Sequence, residues 1–155
     1  MKTFLLIPLV LTLFQACSSQ SAFSHFGINP QQAKSEETIQ SSKIATKNET
    51  VGVVSSIYLN AIYPDSYKEY NYFYVSLYVK DEESRVEFFL NDEKALQIEK
   101  LATKNRFSFL LTQNTEWKKN YLVLFAKGDE DKKIVKFQVK VEGASSEVMS
   151  FQKSD

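Results

Sequence analysis

Side chains that commonly carry chemistry are scarce in this chain of 155 residues, which has one cysteine, Cys17, and one histidine, His25. A Ser–His–Asp triad would have only His25 as its base. One His also excludes a multi-His zinc site within a single chain, and one Cys excludes an internal disulfide or a CxxC metal knuckle. No GxSxG, P-loop or GxGxxG spacing occurs. Carboxylates cluster at Asp81-Glu82-Glu83 and Asp129-Glu130-Asp131, but both runs fall in polar gaps, and Lys132 and Lys133 follow the second directly. Calcium needs several oxygens converging on one point, so these runs read as solvated turns. The expectation is a non-enzymatic protein with no metal and no cofactor.

The tyrosines are the unusual feature. Seven of the eight fall in one stretch, at positions 58, 63, 67, 70, 72, 74 and 78. A Tyr-rich surface gives large contact area at low entropy cost and suits an interface. Tyr63, Tyr67, Tyr70, Tyr72 and Tyr74, together with Trp117 beside Lys118 and Lys119, are therefore candidate contacts for a protein partner. A competing reading makes the same rings structural. Strands favour Tyr on propensity alone, so the rings could cover sheet edges or lie beneath an extra layer, with Trp117 closing one end of the core.

Composition narrows the class of partner. The 19 basic residues balance 19 acidic ones, and this zero net charge argues against a nucleic-acid binder, whose affinity rests on excess Lys and Arg. At the N-terminus, Lys2 precedes an apolar run, Phe4 to Phe14, broken only by Pro8 and Thr12. The run is too short to span a bilayer, which needs about 20 residues, and reads instead as a secretory signal peptide over residues 1–16.

The residues at the cut, Phe14-Gln15-Ala16-Cys17-Ser18-Ser19, resemble the lipobox of bacterial lipoproteins. Ala16 and Cys17 match that pattern, whereas Phe14 and Gln15 depart from it. The resemblance implies a diacylglyceryl thioether on Cys17, cleavage after Ala16, and a further acyl chain such as palmitate on the new amino group. Two or three chains hold a protein on a membrane where one does so marginally. Ser18 after the Cys resembles lipoproteins forwarded to the outer membrane.

Residues 17–48 are rich in Ser, Gln, Lys, Glu and Asn. That composition buries too little surface to offset chain entropy, so the stretch reads as the lipidated Cys followed by a flexible tether, with a short polar helix over 31–47 as the alternative. Residues 49–153 read as one β domain. Period-two alternation recurs at Val51–Leu59 and at Tyr72–Lys80, where Phe73, Val75, Leu77 and Val79 share one face. It returns at Val86–Leu90, Phe107–Leu111, Tyr121–Phe125, Val135–Val141 and Val148–Phe151. Glu93–Lys104 is ambiguous and leans to strand near Leu96–Ile98. Pro64-Asp65, Asn91-Asp92 and Gly128-Asp129 supply turn chemistry, and the gap 128–133 is short enough for a hairpin. About seven antiparallel strands of this kind suggest a β-sandwich, with a closed barrel as the rival.

The segments Lys47–Thr50, Ile57–Pro64, Glu116–Val123 and Phe151–Lys153 resemble small bacterial surface lipoproteins whose domain is a variant immunoglobulin-like β-sandwich. The likeness covers residues 47–153. It implies fold and location, with an interaction or adhesion role, and it carries over no catalytic residues. The expected function is a protein-interaction or adhesion module anchored in the outer membrane of the bacterial envelope. A structural accessory of envelope assembly and a carrier of a small apolar ligand are the alternatives.

Overall fold

The structure, a computed structural model, describes residues 29–111, 115–128 and 131–153. The signal peptide, Cys17, His25 and the Asp129-Glu130 turn lie outside the described residues. Antiparallel strands dominate: β1 (Gln40–Ala45), β2 (Thr50–Tyr58), β3 (Asn71–Val79), β4 (Val86–Leu90), β5 (Glu93–Lys94), β6 (Gln97–Leu101), β7 (Lys119–Phe125), β8 (Ile134–Val141), β9 (Ala144–Ser146) and β10 (Met149–Gln152). Two helices, α1 (Pro30–Thr38) and α2 (Leu59–Ile62), and a 3₁₀ turn at Ser108–Leu110 complete the chain. The all-β expectation holds at this level.

The strands make one ten-stranded sheet in the order β5-β4-β8-β9-β1-β2-β3-β7-β6, with β10 also paired to β8. The sheet curls until its two ends meet, because β5 and β6 are halves of one segment. Lys94 pairs with Phe89 of β4. The Ala95 N–H then donates to the Phe88 carbonyl at 3.1 Å, and the Leu96 N–H donates across to Leu124 of β7 at 2.8 Å. The turn into β5 places Asn91 and Asp92 at φ 50° and 69°, the pair of positive angles that a two-residue type I′ hairpin requires.

The main core fills the space enclosed by the curl. Phe73 of β3 stacks on Phe137 of β8 with ring centroids 4.7 Å apart, and meets Phe125 and Phe151 edge-on at 5.8 and 5.2 Å. β8 follows its alternation, with Val135, Phe137, Val139 and Val141 all buried. In β2, Val54 and Tyr58 turn to this core and Ile57 to the other face. Gly52 is required by close approach, since a Cβ there would lie 2.5 Å from the Tyr78 carbonyl oxygen.

Three expectations are corrected. Residues 29–48 are not tether: α1 starts at an Asn29 cap, whose Oδ1 accepts the Gln31 N–H at 2.9 Å. β1 pairs with both β2 and β9 and puts fully buried Ile44 into the core. Phe107–Leu111 is not a strand but the 3₁₀ turn that roofs the outer face of β2 and β3. The gap 128–133 is not a hairpin, because β7 pairs with β3 and β6, whereas β8 pairs with β4, β9 and β10. The segment 97–101 is strand, as the leaning at Leu96–Ile98 anticipated.

Candidate functional site

The tyrosines gather where β2 hands over to α2 and β3 begins. Asn60 on α2 organises the loop between them. Its Nδ2 donates to the Tyr67 and Tyr70 carbonyls, each at 2.7 Å, and its Oδ1 accepts the Tyr72 N–H at 2.8 Å. The Tyr63 carbonyl accepts the N–H groups of Ser66 and Tyr67 at 3.1 and 3.2 Å. So fixed, the rings form a chain: Tyr63 meets Tyr67 edge-on at 6.2 Å, Tyr67 lies 4.5 Å from Tyr72, and Tyr70 meets Tyr72 edge-on at 6.3 Å.

This chain is mostly packing. Tyr63, Tyr67 and Tyr72 are half-buried against a second apolar cluster of Ile57, Leu59, Ile62, Phe107, Leu110 and Leu111. Burial raises the Tyr63 and Tyr67 phenol pKa values, and for Tyr67 the nearby Arg106 guanidinium partly opposes the rise. Tyr74 is fully buried, sits 5.5 Å from the Phe107 ring and accepts the Asn105 amide at 3.4 Å. Desolvation raises its pKa too, against lowering hydrogen bonds from Asn105 and Ser108. Tyr74 is thereby corrected as a partner contact: alternation placed it opposite the main core, and the 3₁₀ turn covers that face. Of the candidate tyrosines, Tyr70 is the exposed one, at 39%.

Trp117 is corrected in the other direction. It does not close the core but is 81% exposed, at a turn where the Lys118 N–H donates to the Thr115 carbonyl at 3.1 Å. β7 follows directly and seats that turn on the sheet. Because Lys119 pairs with Leu77 while Phe125 pairs with Asn71, Trp117 lies at the end of the strands opposite to Tyr70.

The charged clefts offer little selective chemistry. One of about 390 Å³ is lined by Arg85, Glu87, Lys140 and Glu142 with residues 143–145. Glu87 accepts from Lys94 at 2.8 Å and lies 3.5 Å from Arg85. The Lys94 hydrogen bond holds its carboxyl below the usual range. Charges of both signs neutralise one another here, and the lining does not suit a small apolar ligand. Among the described residues no three His, Cys, Asp or Glu side chains form a group able to hold a metal, and no helix is long and apolar enough to cross a membrane. Sequence reasoning missed Asn60; the only signal was its place just before a Tyr-Pro-Asp turn. No protein-family model and no curated protein matches this chain.

Proposed function

We propose that this chain is a lipid-anchored, non-enzymatic interaction module of the bacterial envelope, held to the outer membrane through Cys17 and folded as an immunoglobulin-like β-sandwich variant. The Phe14–Ser19 sequence supports the anchor. Face-to-face packing of opposing walls, Phe73 of β3 on Phe137 of β8, is in keeping with a sandwich core, and the bonding of all the strands into one curled sheet makes it a variant.

The observation that carries the interaction role is the exposure of Trp117 at 81% on a turn seated by β7. Large aromatic rings held in water by rigid elements are the residues that dominate protein interfaces, Trp foremost, and loops on a rigid sheet are where binding concentrates. The partner face is therefore the Trp117 end rather than the tyrosine loop.

The test is photo-crosslinking in cells, with a benzophenone side chain at 117 or, for comparison, at 70. A discrete protein adduct at 117 is expected. Its absence, with adducts at 70, would return the partner to the tyrosine loop. Mass spectrometry of the mature N-terminus checks the anchor separately, with an acylated Cys17 expected.

A further inference from the structure

The lipid anchor, if attached at Cys17, stands 12 residues before Asn29, where the described fold begins. Fully extended, 12 residues span at most roughly 43 Å at about 3.6 Å each, so an anchor at Cys17 keeps Asn29 and the start of α1 within that distance of the bilayer. α1 docks through Ser35, whose Oγ donates to the Leu110 carbonyl at 2.8 Å. Asn29 precedes that contact by six residues, about 9 Å along a helix axis at 1.5 Å per residue.

Phe109, beside that docking point, is 41% exposed, and Tyr70 is 39% exposed. Arg106, three residues before Phe109, acts electrostatically on Tyr67, whose ring packs on Tyr72, which in turn meets Tyr70. Its guanidinium also sits 4.7 Å from the Phe107 ring centroid. An aromatic ring with a polar tip suits the headgroup layer, and a long cationic side chain can keep its head in water while its stem lies along apolar surface. Lys68 nearby is paired with Asp65 at 3.3 Å, and on α1 the exposed Lys34 is accompanied by exposed Glu36 and Glu37, so attraction to anionic lipid is not the basis of the contact. The covalent anchor raises the local concentration of lipid surface, which lets a modest aromatic contact suffice.

Resting on the anchored reading above, we propose that the face carrying Tyr70, Arg106 and Phe109 lies on the lipid headgroup layer, with Trp117 pointing away from the membrane. From Phe125, paired with Asn71, back to Trp117 is eight residues, roughly 26 Å at 3.3 Å per residue. That separation allows one end to touch lipid while the other meets a partner.

The acylated full-length mature chain, reconstituted in phosphatidylcholine vesicles with bromine on the upper acyl chain, tests this. Trp117, the sole tryptophan, is the internal probe of the far end. Phe109→Trp and Tyr70→Trp, each combined with Trp117→Phe, probe the near face, and far-UV circular dichroism checks that each still folds. Vesicle-bound protein should lose at least half its emission to bromine with Trp at 109 or 70, and almost none with Trp117. Unquenched near-face probes on vesicle-bound protein would overturn the orientation while leaving the anchor intact, as would a protein rather than lipid occupant of this face. Quenched Trp117 would show the reverse orientation. Protein with an unmodified Cys17 that stays in the supernatant would overturn the anchor, and the orientation with it.

Discussion

Replacing Ile44 with Ala asks whether residues 40–45 belong to the folded unit. Ile44 is fully buried in β1 and packs in the main core, although a tether would leave it in water. The substitution removes three carbons, about 2.4 kcal/mol at about 0.8 kcal/mol per methylene. A residual cavity of about 40 Å³ adds about 1 kcal/mol at about 24 cal/mol per Å³. The expected loss is about 3.5 kcal/mol. With an unfolding entropy near 2.1 cal/mol/K per residue over roughly 125 folded residues, the melting midpoint should fall by about 13 °C. Far-UV circular dichroism in urea is the appropriate assay, because Trp117 is 81% exposed in the folded chain and its emission would change little on unfolding. Lys43→Ala, an exposed neighbour on the same strand, should change stability by less than about 0.5 kcal/mol. If both variants melted with the wild type at an unchanged urea slope, β1 would not be part of the core, and the reasoning would fail.

Tyr58 ties the sheet to pH. Burial pushes its phenol up to about 12 from 10.0, so the unfolded chain releases that proton first; stability is intact below pH 10 and falls by about 3 kcal/mol between pH 10 and 12 at 1.36 kcal/mol per pH unit. Urea midpoints across that range should fall less steeply in Tyr58→Phe. That variant is also less stable at neutral pH by about 1–3 kcal/mol, because the buried Asn71 Oδ1 loses its donor at 2.7 Å. Gly52→Ala must push the β3 backbone away from a Cβ only 2.5 Å from the Tyr78 oxygen; a loss of about 1–3 kcal/mol is expected from such overpacking, read from the same urea curves. Asn60→Ala removes three hydrogen bonds to the tyrosine loop, and hydrogen exchange should show the Tyr72 amide losing about tenfold or more in protection, as about 1.4 kcal/mol would give. Tyr74→Ala should destabilise by about 3–5 kcal/mol, as other buried aromatic truncations do, whereas Trp117→Ala should melt like the wild type and no longer co-purify the partner that the adduct at 117 identifies.

Elements whose two faces differ in chemistry were legible as sequence. β8 alternates Val135, Phe137, Val139 and Val141 with Lys136, Gln138 and Lys140, and the buried set is the apolar one. β1 was not legible, because Gln40–Ala45 buries only Ile44 fully. Its other face is Ser41, Lys43 and Ala45, with Ser41 and Ser55 oxygens 2.9 Å apart across the strands, so its place in the sheet is set by pairing with β2 and with the sequence-distant β9. The tyrosine alternation of β3 marks a shared face, but parity cannot say whether a face is wet. Only the return of residues 107–111 over Tyr74 decides that. The same limit applies to Trp117, whose type suggested a core lid until its turn was seen to project outward. The gap 128–133 has hairpin length, yet the strands it joins bond to different partners, and loop length does not distinguish these outcomes.

The segment that passes from β4 to β7 at Ala95 and Leu96 has a consequence for behaviour at high density. A sheet with open flanks can recruit identical neighbours into fibrils. Here β5 and β6 end the strand order, and among the described residues β6 bonds only β7, so the outer backbone of Gln97–Leu101 is a short open row on which exposed Glu99 and Lys100 set charge against recruitment of an identical copy.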